Sequence, residues 1–251
     1  MIRRIGAAAA PACVLALLLI SAAPRDQGPR GSLALLTNEF AYRHPTGAGA
    51  VRSADWWVTS GSLFGAGDYL WSGRPDAGRP GPVSQPWTDS AVLRAVTTRD
   101  DYADVAVRFG LRVNALTETA RTPAADLDGV HVMLRYHSEQ SVYFVSVSRR
   151  DGQYAIKRKT PGGPSNGGTY VTLAATGTAR LPAPRDGWRH VEATIAGSRT
   201  IAIGLRIDGY PVLHAIDHVA GPVPPGRVGL RGDNCDFLVR DFRVSARSIL
   251  L

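Results

Sequence analysis

Five residues near the middle of this 251-residue chain carry chemically capable side chains at close spacing: His131, Arg135, His137, Lys157 and Lys159. Residues 130–137 alternate with a period of two. That predicts a half-buried strand with Val130, Val132, Leu134 and Tyr136 on one face and His131, Met133, Arg135 and His137 on the other. Lys157 and Lys159 share a face of a nearby strand. Cations that neutralise an acidic group, beside imidazoles that take up and release protons, make this set the candidate for catalysis. A plain structural role competes with it: Arg135 paired with an acidic neighbour and the histidines partly exposed. The two lysines stand out because they are the only lysines among 29 basic residues. Two so close together mean either that an ammonium is wanted there or that chance placed them.

Other constellations yield less. Trp71 and Trp87 flank or lie in a Gly/Pro-rich stretch, 65–86, that reads as a long surface excursion. Exposed, their rings would stack on sugar C–H faces, with Arg135, Lys157 and Lys159 as further ligand contacts; buried, they would pin the excursion to the body. Trp56, Trp57 and Trp188 lie in strand patterns and are assigned to the core. Gly163-Pro164-Ser165-Asn166-Gly167 matches a nucleophile-elbow pattern, but a strand rather than a helix follows it, which excludes a serine hydrolase of that kind. His131 and His137 would stand about 20 Å apart on a regular strand and cannot share a metal. Arg231-Gly232-Asp233 spells an adhesion tripeptide and reads as a turn after a strand.

The elements that must position these groups are strands. Val105, Val107, Phe109 and Leu111 alternate with polar or small partners, as do Ile201, Ile203, Leu205 and Ile207. Asp151-Gly152 and Asp208-Gly209 each separate two such runs and predict hairpins with type I′ turns. Residues 161–168 form a second glycine-rich excursion. About a dozen short strands without helical periodicity fit an all-β sandwich or jelly roll.

The N-terminus differs from the rest. Arg3 and Arg4 precede an uncharged stretch, 5–23, that ends in Ser21-Ala22-Ala23, the pattern of a secretory signal peptide; left uncleaved it would be a membrane anchor. The expected organisation is therefore 1–23 signal, 24–35 linker, 36–246 one domain and 247–251 tail, in a secreted or cell-surface protein. Cys13 leaves with the signal, so Cys235 stays as a lone, buried thiol without disulfide or cysteine metal cluster. The formal charge is +8. Export and the lack of a basic helix or run argue against nucleic acid.

One series of segments has a family likeness. Asp128-Gly129 leads into residues 130–136 and 143–149; Asp151-Gly152, residues 156–159, Trp188-Arg189-His190-Val191, Ile207-Asp208-Gly209, residues 226–231 and Phe242-Arg243-Val244 follow. It resembles the concanavalin A-like lectin/glucanase superfamily, in particular its laminin-G-like and keto-disaccharide-hydrolase-like branches, over residues 36–246. The resemblance implies a two-sheet antiparallel jelly-roll sandwich, and a structural calcium for which Glu39 and Asp241 are candidates by position. It does not fix the function. The four glutamates, Glu39, Glu118, Glu139 and Glu192, do not form the acid/base strand of the glucanase branch. A secreted, lectin-like protein that binds polysaccharide or oligosaccharide is the leading expectation. A polysaccharide lyase or glycoside hydrolase working in the concave groove is the alternative, and a surface interaction module without a sugar ligand is the third.

Overall fold

A computed structural model describes residues 34–36, 50–66, 68–75, 91–177, 181–184 and 186–246. The apolar N-terminal segment, Glu39 and Trp87 lie outside the described residues. Sixteen strands follow in chain order: β1 (Ala34–Leu36), β2 (Ala50–Val51), β3 (Trp56–Ser60), β4 (Phe64–Ala66), β5 (Tyr69–Trp71), β6 (Val92–Thr97), β7 (Val105–Leu116), β8 (Gly129–Ser138), β9 (Ser141–Arg149), β10 (Ala155–Ser165), β11 (Gly168–Ala175), β12 (Arg189–Ala196), β13 (Thr200–Ile207), β14 (Tyr210–His218), β15 (Arg227–Asp233) and β16 (Cys235–Ala246).

The alternation seen in the sequence gives the long central strands one apolar face, and two sheets bury these faces against each other. One sheet has seven strands in the order β11-β10-β9-β8-β15-β6-β3; the other has nine, β14-β13-β12-β7-β16-β5-β4-β1-β2. Pairing is antiparallel except between β1 and β2. Val132, Val145, Ile156 and Leu230 of the seven-stranded sheet share one core cluster with Val107, Phe109, Ile203 and Val239 of the other. Full burial of each such side chain contributes about 1.5–3 kcal/mol before entropy is counted. No described helix is long and apolar enough to cross a membrane.

Turn chemistry accounts for the connections. Asp208 and Gly209 have φ of 53° and 81°, the two positive values of a type I′ turn, and Ile207 pairs with Tyr210 across it. The glycine-rich excursion at 161–168 is the tip of a long hairpin: Asn166 and Gly167 (φ 49° and 75°) turn the chain, and Ser165 pairs with Gly168. Asp151-Gly152 also joins two strands, but through the longer stretch 150–154, where only Gly152 has a positive φ. The first part of the 65–86 excursion is not a surface loop. It contributes to the β4–β5 hairpin, in which Phe64 pairs with Trp71 inside the nine-stranded sheet.

The strand expected to carry three site residues is interrupted. Arg135 adopts φ 45°, and the register of β8 shifts on both sides between residues 133 and 138. This bulge reverses the alternation. Tyr136 therefore joins Met133, Val96, Val142 and Phe144 in a second cluster on the outer face. Arg135 leaves that face, so the expectation that His131, Arg135 and His137 project together is corrected by one inserted residue. The Arg135 guanidinium donates to the carbonyls of Ala103, Gly197 and Val223 and to the Asp104 carboxylate, at 2.6–3.3 Å. It ties three loops to the seven-stranded sheet. Arg135→Lys, which keeps the charge but loses the planar fork, is expected to lower the unfolding free energy by about 1–3 kcal/mol in a urea titration while leaving any ligand affinity within about twofold.

Candidate functional site

The outer face of the seven-stranded sheet carries the concentrated polar groups. Register places them in rows. Arg94 of β6, Arg231 of β15, His131 of β8 and Ser146 of β9 stand side by side across four strands. In the next row Met133, Phe144 and Lys157 are neighbours, and beyond it Val142, Lys159 and Tyr170. The structure thus brings His131, Lys157 and Lys159 onto one face with Arg94, Arg231, Tyr136, Phe144 and Tyr170.

Most of this face is out of water, and its charges are matched one by one. Arg231 donates from Nε and Nη2 to both oxygens of Asp233 at 2.8–3.1 Å. His131 Nδ1 lies 2.9 Å from Ser146 Oγ, and its Nε2 is 3.3 Å from Asp233 Oδ2 but off the hydrogen-bonding line. Arg94 pairs with Glu139, and Arg149 with Asp151. Burial pushes the Asp233 carboxyl up, yet Arg231 and His131 outweigh it and hold the group well below the usual carboxylate range. Burial, and then repulsion from Arg231, brings Arg94 down to about 10.

The lysines are different. Their ammonium groups lie over the Tyr170 ring, Lys159 at 5.0 Å and Lys157 at 6.0 Å from its centroid. Neither makes an ion pair with a described carboxylate. Lys159 is only 3% exposed. Burial, followed by repulsion from Arg231 and Arg94, lowers it to about 8. Lys157 is lowered by burial and by Arg149.

Two aromatic rings on this face reach solvent. Tyr170 is 37% exposed and packs against Phe144 with centroids 5.9 Å apart. Trp57, at the opposite edge of the same sheet, is 41% exposed and has the Arg227 guanidinium 5.4 Å above its ring. Its assignment to the core is corrected: in β3 the pleat sends Trp56 inward and Trp57 outward. Trp56 and Trp188 are buried.

The other sequence candidates lie elsewhere. Trp71 belongs to β5, where Nε1 donates to Asp236 at 2.8 Å and the ring packs on Phe64. His137 is exposed and lines a 340 Å³ cavity at the mouth between the sheets with Arg135 and His218. Asp241 is exposed on β16, 3.6 Å from Arg243. Among the described residues no three His, Cys, Asp or Glu side chains gather as metal ligands. Asp241 alone does not supply the oxygens that calcium needs. Cys235 is buried, and burial pushes its thiol up.

Arg231 and Asp233 were missed as site residues because the tripeptide was read as a turn. They lie within β15, paired with β6 and β8; Asp233 is buried and holds the half-buried Arg231 side chain in an ion pair, so the tripeptide is not a free turn presented for adhesion. Alternation opposite Val228 and Leu230 was the available signal. Ser146, His131 and Asp233 have the residue types of a nucleophile relay. However, Ser146 is buried, and β8 and β10 flank it on both sides, so a carbonyl attacked by its Oγ would meet no free pair of backbone N–H groups to hold the resulting oxyanion. A second groove crosses the outer face of the nine-stranded sheet. Its main charges are already paired, Arg108 with Glu192 at 2.6 Å and Arg243 with Asp241.

No protein-family model and no curated protein sequence matches the chain. Solved structures do. The carbohydrate-binding module CBM66 from Bacillus subtilis superposes with a TM-score of 0.52 at 13% identity, over 84% of this chain and 99% of that one. The carbohydrate recognition domain of Emp46p, in a metal-free form, gives 0.50 at 8% identity, over 76% and 87%. The fold is a lectin-like, two-sheet jelly roll. At this identity the likeness establishes the jelly roll and leaves its chemistry to the residues.

Proposed function

We propose that this jelly roll is an exported glycan-recognition protein that binds polysaccharide across the outer face of its seven-stranded sheet. The observation that carries the reading is the exposed Tyr170 ring, set beside two ammonium groups on a face otherwise closed by paired charges. A flat ring takes the C–H face of a sugar, and neighbouring cations donate hydrogen bonds to its oxygens. Trp57 and Arg227 offer a second platform at the far edge, so one extended chain can touch both. Similarity to a carbohydrate-binding module and a carbohydrate recognition domain supports the reading. The signal-like N-terminus supports export.

Binding is favoured over turnover by the state of the titratable groups. Asp233 is tied to Arg231, Glu139 to Arg94, and no pair of free carboxylates flanks the lysines among the described residues. The test is a panel of neutral and acidic polysaccharides, scored both for retention in affinity electrophoresis and for new chain ends. Retention without new ends is expected. Tyr170→Ala should weaken it about tenfold, the scale of a lost stacking contact. Release of new ends would overturn the binding-only reading, and retention unaffected by Tyr170→Ala would move the site off this face.

A further inference from the structure

The ion pairs of this face leave a remainder. Each described carboxylate near the lysines already serves an arginine: Asp233 serves Arg231, Glu139 serves Arg94, and Asp151 serves Arg149. Among the described residues Lys157 and Lys159 remain, side by side on β10, over the face of Tyr170 and without an ion pair; Asp151 relieves Lys157 only in part. Arg94 and Arg231 add to the positive potential at Lys159 instead of relieving it. A cation in this position is expensive to hold away from water, and a ring quadrupole offsets only part of the cost. Substitution by an apolar residue would remove the penalty, yet the only two lysines of the chain are both here.

We propose that Lys159 and Lys157 form a subsite for an anionic group, so that the glycan bound beside Tyr170 is an acidic one, bearing carboxylate or sulfate on the sugar. The proposal rests on the glycan-binding reading and narrows it. An anion that enters from the half-buried Lys157 side supplies the counter-charge both ammonium groups lack, while the sugar ring to which it is attached lies on the exposed Tyr170. An ammonium suits this use because it presents a compact charge with three rotatable donors and does not demand the planar geometry of a guanidinium. Lowered by burial and its arginine neighbours to about 8, Lys159 is still largely protonated at neutral pH.

The experiment compares probes that share a backbone and differ in charge: polygalacturonate against its methyl ester, and dextran sulfate against dextran. The full chain is used, and binding is measured calorimetrically at physiological salt. The proposal expects at least one acidic probe to bind about thirtyfold more tightly than its neutral counterpart. Which pair shows the difference identifies carboxylate or sulfate as the group. Lys159→Met should abolish the difference by bringing the acidic probe down to the affinity of its neutral counterpart; Lys159→Arg should keep part of it. Because the chain is strongly basic, Arg243→Met, an exposed arginine on the other sheet, controls for general attraction to polyanions. Equal losses in Lys159→Met and Arg243→Met overturn the proposal. So does equal affinity for acidic and neutral probes, which leaves glycan binding intact. Failure to bind any of the four probes counts against the glycan-binding reading itself, and the subsite falls with it.

Discussion

Replacing Asp233 by alanine is expected to cost the folded protein about 3–5 kcal/mol, a large share of the roughly 5–15 kcal/mol that keeps a domain folded. The carboxylate is 6% exposed and is the counter-ion of Arg231, which it meets with both oxygens. Removing it strands a half-buried guanidinium beside Arg94 and Lys159 and deprives His131 of its acidic neighbour. Urea unfolding measured at pH 7 checks the size. The pH dependence checks the cause. The folded-state value of Asp233 lies well below its unfolded value, so its contribution is fully present above about pH 4 and is lost as pH falls further. The wild type should therefore lose stability on acidification in a range where the variant shows a shallower slope. A double variant, Arg231→Met with Asp233→Leu, removes both charges and is expected to recover most of the loss. If the single and double variants are equally damaged, the ion pair is not what the position contributes.

The core of this interaction was hidden from the sequence for a definable reason. Arg231-Gly232-Asp233 looks like a turn because glycine sits between two charged residues, and only the pairing of β15 with β6 and β8 shows that all three are mid-sheet. The two-sheet architecture was legible, since period-two alternation in 105–111 and 201–207 fixes which side chains face inward. The Asp208-Gly209 hairpin was legible from its turn chemistry alone. Arg135 was not, because alternation carries no sign of a bulge: a single residue at φ 45° turns its side chain away from His131 and puts Tyr136 in its place. The adjacent Trp56 and Trp57 show the converse. The pleat alone separates them, and treating both as core ignored a rule the sequence already offered.

Of the site itself, the lysines were visible through rarity, but their partners were not. Tyr170 and Phe144 come from the strands on either side of β10 and Arg94 from a strand distant in sequence, and register decides which of their residues meet Lys157 and Lys159. The absence of an ion pair between Lys159 and any described carboxylate is likewise a property of the whole face. It depends on which arginine each carboxylate has already taken.

That imbalance predicts a gain in stability from damaging the site. Lys159→Met is expected to raise the unfolding free energy at pH 7 by about 1–2 kcal/mol, because methionine fills similar volume without a buried charge. The sign with pH is fixed by linkage. Burial and the neighbouring Arg231 and Arg94 lower Lys159 to about 8 in the folded state, against 10.5 ordinarily. Below pH 8 both states carry the proton and the full penalty applies. Between about 8 and 10.5 the unfolded chain holds the proton that the folded chain has released, so wild-type stability rises with pH. The advantage of the variant should therefore shrink across that range and vanish above it, which thermal unfolding at pH 7, 9 and 10.5 can follow. A stability gain of this kind, together with loss of acidic-glycan binding, is what separates a residue kept for a ligand from one kept for the fold. If Lys159→Met instead destabilises the protein at pH 7, the ammonium has a partner inside the fold and the face is not waiting for an anion.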